Sequence, residues 1–194
     1  MKKIFLLLAL SAALINVVSA QDDSGKKGFD KSKLFAGGTF GLGFSSYSTA
    51  INISPQIGYR FSSLFAAGFG VNYAYYNYKY YYYGSNNVSQ RSIYSYAGLN
   101  IFGRIYPIPQ FFFHAQPELN YIWGKEKYYG GTGGQDYELK VPTQFVPSLL
   151  LGGGAAIPAG KGAFTISVMY DVLQNSLSPY YRQAVYGLGF TTGF

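Results

Sequence analysis

The chain has 194 residues, of which 12% are charged, 20% are aromatic and none is cysteine, and its formal net charge is +7. The lack of cysteine excludes disulfide scaffolds and thiolate metal sites. The length suits one domain, and a hydrophobic content of 48% excludes disorder over most of the chain.

The first part of the chain, residues 1–20, is predicted to be a cleaved signal peptide. A short positive start precedes an apolar run that is too short for a spanning helix, and small residues lead to a cleavage site between Ala20 and Gln21. Residues 21–33 mix lysines with aspartates and are predicted to form a flexible periplasmic lead. Because the remaining basic residues are scattered along an exported chain, we expect no nucleic-acid partner.

From residue 34 onward the sequence alternates with a period of two. Bulky apolar residues occupy one set of alternating positions, and small or polar side chains occupy the other, as in β-strands. No later apolar run reaches the 18 residues of a membrane-spanning helix. The alternating segments lie at 34–45, 51–61, 65–75, 92–104, 111–123, 144–157, 164–171 and 186–194.

The connections between these eight predicted strands differ in length on the two sides. Tight turns are expected at 62–64, 107–110 and 158–162, and longer loops at 81–90, 125–138 and 173–182. In an up-and-down arrangement the three tight turns all fall at one end of the barrel and the three longer loops at the other. This asymmetry is typical of an outer-membrane barrel, which has short periplasmic turns and long external loops.

The polar face of the strands decides which side of the barrel meets water. That face carries glycine, serine, threonine and amides but few charges, whereas a solvated surface is about a quarter to a third charged. Small side chains instead suit the narrow interior of an eight-stranded barrel. The sequence therefore predicts an all-β, eight-stranded, antiparallel, up-and-down transmembrane β-barrel over residues 34–194, with its apolar face outward. A secreted soluble barrel with the opposite polarity is the alternative.

The last strand ends on an aromatic residue. Phe190 shares one face with Phe194, which is the last residue given. Together with the signal peptide and the eight alternating segments, this ending resembles the small outer-membrane β-barrel family of OmpX- and OmpA-type proteins. The resemblance implies location in a Gram-negative outer membrane, contact with outer-membrane lipid, and recognition of Phe190 and Phe194 by the barrel-insertion machinery. We expect a monomer.

Several ionisable residues fall on the inward phase of the strands, where they must be paired or hydrogen-bonded. We predict that they form a polar network that plugs the lumen, with a narrow channel for ions or small solutes as the alternative. These residues are Arg60, Arg104, His114, Glu118 and Asp171.

Catalysis, metal binding and cofactor binding are not expected. His114 is the single histidine, and its separation from Glu118 along a strand exceeds hydrogen-bond reach. Ser148 and Ser167 share its face, but no spacing indicates a Ser–His–carboxylate site. A lipid-modifying enzyme therefore remains the least favoured alternative, and one histidine with scattered carboxylates does not form a metal-ligand cluster.

Tyrosine is concentrated at the end of the barrel that carries the long loops. The run 73–83 is the most unusual segment, and its first half fits an interfacial aromatic girdle. Tyrosine gives a large contact area at low entropic cost and is enriched in binding surfaces. We therefore predict a non-enzymatic structural or surface-interaction protein that meets an external protein or glycan, with a thickened girdle as the structural alternative. The candidate binding residues, expected in outer loops, are Tyr80, Tyr81, Tyr82, Tyr83, Tyr128 and Tyr129.

Overall fold

The computed structural model describes residues 30–130 and 134–193, so Ala20, Gln21 and Phe194 lie outside the described residues. A short 3-10 turn at Lys31–Lys33 precedes the first strand. The eight strands are β1 (Leu34–Phe44), β2 (Ser48–Arg60), β3 (Phe65–Tyr81), β4 (Val88–Ile108), β5 (Phe111–Tyr128), β6 (Tyr137–Ala159), β7 (Gly162–Asp171) and β8 (Ala184–Thr192).

Each strand pairs antiparallel with its neighbours in the chain, and β8 pairs with β1 to close the barrel. The prediction of an eight-stranded, antiparallel, up-and-down barrel is therefore confirmed. The closing ladder is short and runs over four residue pairs, from Ala36 opposite Thr192 to Thr39 opposite Gly189. Within residues 30–130 and 134–193, no helix is long and apolar enough to span a membrane.

The apolar side chains point away from the barrel axis, as the alternation predicted. On β5, Leu119 is 50% exposed whereas its neighbours Glu118 and Asn120 are 5% and 0% exposed. The same alternation runs along β7, where Ile166 and Val168 are exposed. The outward orientation of the apolar face is therefore confirmed.

The strands differ markedly in height. Strands β3 to β6 are 17 to 23 residues long, whereas the other four have 9 to 13 residues. The upper ends of the long strands form a raised wall, which we define as residues 76–81, 88–96, 124–128 and 137–141. On the β2 side the ladder reaches Tyr78, so only residues 79–81 of β3 extend beyond its neighbour.

The wall corrects the predicted loop boundaries. Loops expected at 81–90 and 125–138 shrink to 82–87 and 129–136, because the ladders continue to Tyr81 opposite Val88 and to Tyr128 opposite Tyr137. The apolar alternation stops where the barrel no longer needs an apolar exterior. Backbone hydrogen bonding between strands does not require that alternation. The strands therefore extend further than the sequence pattern indicated.

Candidate functional site

The centre of the lumen is crossed by hydrogen-bonded polar side chains. Arg104 on β4 lies opposite His114 on β5, and its Nε donates to His114 Nδ1 at 3.1 Å. His114 Nε2 lies 2.9 Å from Gln116 Oε1, which fits a neutral imidazole with its proton on Nε2, because Nδ1 acts as an acceptor. Arg104 Nη2 also donates to Gln56 Oε1 at 2.9 Å, and Gln56 Nε2 donates to Gln116 Oε1 at 3.0 Å. Two routes therefore lead from the guanidinium to Gln116.

The same chain of hydrogen bonds continues to the carboxylate of Glu118. Gln116 Nε2 donates to Glu118 Oε1 at 2.5 Å, and Asn120 Nδ2 donates to Glu118 Oε2 at 3.0 Å. Asn72 Nδ2 donates to Asn120 Oδ1 at 2.7 Å and so ties β3 to β5 across the lumen. Arg104 and Glu118 are thus linked through the side chains of intervening residues, with no direct contact between the two charges.

The crossing from Asn72 to Asn120 passes over a glycine. A Cβ on Gly98 of β4 would lie 2.3 Å from Asn120 Oδ1 and 2.7 Å from Asn72 Nδ2. Both distances are below any normal contact, so a side chain at position 98 would displace the two amide groups of the bridge.

The lower end of the lumen is filled by aromatic rings. Arg60 lies 4.8 Å from the ring centroid of Tyr106, and Arg104 lies 4.9 Å and 5.1 Å from those of Phe102 and Phe112. Each guanidinium is therefore placed for a cation–π interaction. Arg60 contacts this group of lumenal rings, which we call the lumenal aromatic cluster. Arg104 contacts the same cluster and also belongs to the central chain of hydrogen bonds. The buried apolar cluster consists of Phe35, Ala66, Phe102, Tyr106 and Phe112.

Asp171 has a different role from the other predicted lumen residues. It accepts hydrogen bonds from Ser178 Oγ at 2.7 Å and from two backbone N–H groups at 3.0 and 3.1 Å. Ser178 also lies 3.0 Å from Ser148 Oγ on β6. These contacts hold the β7–β8 connection on the barrel, where the buried Tyr180 interacts with Glu118.

The sequence did not predict the lumenal aromatic cluster or two members of the central chain of hydrogen bonds. Phe102 and Phe112 share the inward phase of Arg104 and His114, so a strict reading of strand phase would have found them. The alternation of β2 and β3 also directs Gln56 and Asn72 inward, but only the closed barrel brings these two strands within reach of β5.

The inner face of the raised wall is lined by tyrosines. Tyr76 lies opposite Tyr94, and Tyr128 stacks on Tyr137 with ring centroids 4.8 Å apart. A register shift after Ile122 places the upper residues of β6, among them Tyr137, on this inner face. We call this surface the tyrosine wall; it consists of Tyr76, Tyr78, Tyr80, Tyr94, Tyr96, Tyr128 and Tyr137.

A carboxylate orients two of these rings. The hydroxyl groups of Tyr94 and Tyr128 each donate to Glu126 at 2.6 Å. The hydrogen bond from Tyr128, followed by that from Tyr94, holds the pKa of Glu126 below its ordinary value. The same contact raises the pKa of Tyr128. The wall is therefore an ordered surface in which polar groups fix the aromatic rings.

The predicted surface tyrosines separate into three groups. Tyr80 and Tyr128 lie in strands on the inner face of the wall, so their expected loop placement is wrong. Tyr81 also lies in a strand, and its hydroxyl donates to the carbonyl of Ser46 at 3.0 Å. The loop residues are Tyr82, Tyr129 and the fully exposed Tyr83, and the hydroxyl of Tyr82 donates to the Tyr129 carbonyl.

The contacts of His114 and of the carboxylates define which chemical groups the described residues bring together. His114 is hydrogen-bonded to Arg104 and Gln116, and neither partner is a serine or a carboxylate. Among residues 30–130 and 134–193, no three histidines or carboxylates come together as a metal site. The lumen side chains can fill and rigidify the barrel, and the wall can present aromatic rings with hydroxyl groups.

Comparison with known proteins gives matches at the level of structure. No protein-family model matches the chain, and no curated protein matches it in sequence. The crystal structure of Neisserial surface protein A (NspA) matches with 12% identity and a TM-score of 0.47, over 83% of this chain and 96% of that one. Ail, the attachment invasion locus protein of Yersinia pestis, matches with 10% identity and a TM-score of 0.43, over 82% and 93%. Its complex with the heparin analogue sucrose octasulfate matches with 12% identity and a TM-score of 0.42, over 82% and 94%.

Proposed function

We propose that the protein is a non-enzymatic barrel of the Gram-negative outer membrane that binds an external protein or glycan through its tyrosine wall. Support for the membrane location comes from the exterior of the barrel. Leu99, Ile101, Phe113 and Phe145 are each at least 65% exposed, and they lie on adjacent strands. A soluble protein rarely exposes an apolar surface of this extent, whereas a membrane barrel requires one.

An aromatic layer marks the upper edge of the apolar surface. Tyr73, Tyr121 and Trp123 point outward there, with ring centroids 6.4 Å apart for Tyr73 and Trp123 and 5.7 Å apart for Tyr121 and Trp123. Rings of this kind collect at the boundary between lipid and water. In the proposed orientation, Phe190 on β8 lies near the opposite, periplasmic edge, and with Phe194 it would be read by the insertion machinery.

The observation that carries the binding proposal is the height and composition of the wall. Strands β3 to β6 continue beyond the aromatic layer, and the extension presents tyrosine on its inner face. Tyr78, Tyr80 and Tyr137 are 40%, 51% and 56% exposed, so their rings are accessible. Two neighbouring rings are already oriented by Glu126, which lowers the entropic cost of binding.

The filled lumen favours this role over that of a channel. The side chains of Arg104, His114, Gln116 and Glu118 are all at most 5% exposed and are hydrogen-bonded across the interior. Eight strands enclose a space that is just filled by its own side chains. This filling argues against a continuous column of water through the barrel.

The binding proposal can be tested with the purified barrel on arrays of glycans and of extracellular proteins. The triple variant Tyr78→Ala, Tyr80→Ala and Tyr137→Ala should lose most of the binding seen with wild type. A control variant, Tyr73→Ala and Tyr186→Ala, changes tyrosines of the apolar exterior and should bind as wild type does. Absence of any ligand for wild type, or equal binding by the wall variant, would refute the proposal.

A further inference from the structure

The outward face of the wall carries a concentrated set of positive charges. Lys79 on β3 lies opposite Arg91 on β4, Arg91 lies opposite Lys127 on β5, and Lys125 lies opposite Lys140 on β6. These five residues share the outward phase of the apolar exterior. We call them the cationic face.

The cationic face is only partly neutralised. Glu138 lies 3.3 Å from Lys125 Nζ and 3.5 Å from Lys127 Nζ, so one carboxylate serves two lysines. The Nε of Arg91 donates to the amide oxygen of Asn77 at 2.8 Å, which supplies a hydrogen bond without a charge. Five cations therefore face one anion. Like charges directly opposite one another on paired strands are destabilising, so an external anion would relieve a cost that the fold itself incurs.

The position of the cationic face relative to the aromatic layer indicates what that anion is. Lys125 follows Trp123 by two residues, which corresponds to about 7 Å along a strand. In the proposed orientation the rings mark the boundary of the hydrocarbon, so Lys125 and its partner Lys140 lie at the depth of lipid headgroups. Lys127, with Arg91 and Lys79 in register with it, lies two residues further along the strands. Because they point outward from the barrel, their neighbours are lipids of the surrounding leaflet.

We propose that the cationic face binds the phosphate groups of phosphorylated glycolipids in the leaflet that surrounds the upper end of the barrel. This inference rests on the proposed function, because it requires the barrel to span that membrane. The three lysines on β5 and β6 supply mobile ammonium groups, and Arg91 supplies a planar guanidinium that can meet two phosphate oxygens at once. Bound lipid would fix the depth and tilt of the barrel whose inner face carries the tyrosine wall.

The test uses full-length mature protein and measures the fluorescence of Trp123, the single tryptophan, which lies next to the cationic face. The barrel is first inserted into phosphatidylcholine nanodiscs. Failure to insert would refute the proposed membrane location and, with it, the lipid inference. Lipid A, which carries two phosphates, is then titrated into the inserted barrel, with dephosphorylated lipid A and inorganic pyrophosphate as comparison ligands.

The triple variant Lys125→Gln, Lys127→Gln and Lys140→Gln should bind lipid A about tenfold or more weakly than wild type, since each surface cation contributes several-fold to anionic lipid binding. The matched control Lys31→Gln, Lys33→Gln and Lys161→Gln removes the same charge elsewhere and should bind as wild type does.

Substitution of the three β5 and β6 lysines by arginine keeps the charge and should retain binding, which separates loss of charge from loss of structure. Equal binding of lipid A by the glutamine variant and wild type would overturn the inference. Equal binding of the dephosphorylated lipid, or pyrophosphate binding as tight as that of lipid A, would also overturn it.

Discussion

Replacement of Glu118 by alanine is expected to destabilise the barrel by about 2–5 kcal/mol. The carboxylate accepts hydrogen bonds from Gln116 at 2.5 Å and from Asn120 at 3.0 Å, both inside the lumen. Each buried donor left without an acceptor costs about 1–3 kcal/mol. The sum is reduced because the variant no longer buries a carboxylate, which is itself costly.

The variant can be measured by urea unfolding in lipid bilayers, with Trp123 fluorescence as the signal. Glu126→Ala is the control, because Glu126 is a carboxylate that accepts side-chain hydrogen bonds from Tyr94 and Tyr128 but stands on the exposed wall. There, water replaces the lost partner, so the control should cost less than about 1 kcal/mol.

Glu118→Gln keeps the size of the side chain and one acceptor oxygen, and it should fall between wild type and the alanine variant. If Glu118→Ala cost no more than Glu126→Ala, the carboxylate would not be what holds the lumen side chains together. A large loss in Glu118→Ala with none in Glu118→Gln would show that an acceptor is needed and that the charge is not.

The other predictions concern the lumen, the lipid face and the wall. Gly98→Ala should lower the unfolding free energy by about 1–3 kcal/mol because its Cβ would enter the Asn72–Asn120 bridge, whereas Gly103→Ala, whose nearest contact would be 3.7 Å away, should be nearly neutral in the same urea assay. Leu99→Arg should cost about 2–4 kcal/mol in bilayers if the exposed side chain lies near mid-membrane, and an unchanged unfolding midpoint would place it outside the lipid. Wild type in a planar bilayer should give no stable conductance steps, and regular steps would replace the plug with a pore. The pKa of Glu126, measured by carbon NMR, should lie below its ordinary value of 4.5, because the native state binds this proton less tightly than the unfolded chain. The resulting contribution to stability is present above pH 4.5 and is lost as the pH falls through the pKa of the folded state, and Glu126→Gln should remove it.

The sequence by itself determined the number of strands, the order of the strands and the outward orientation of the apolar face. Each of these follows from local alternation: a side chain such as Leu119 and its neighbour Glu118 must point to opposite sides of a strand. The shortage of charge on the polar face then indicated that this face lines the interior and that the apolar face is the exterior. The same phase placed Arg104 and His114 in the lumen before any strand was paired.

Only the tertiary structure decided which lumen residues meet and how far the strands extend. The link from Arg104 to Glu118 passes through Gln56 and Gln116, which are 60 residues apart and meet only after the barrel closes. The sequence pattern also could not predict which residues form the two faces of the wall. Backbone pairing above the apolar exterior requires no apolar alternation, and the register shift after Ile122 reverses which residues of β6 face inward. Cross-strand register therefore brought together the tyrosines on one side and the five cations on the other.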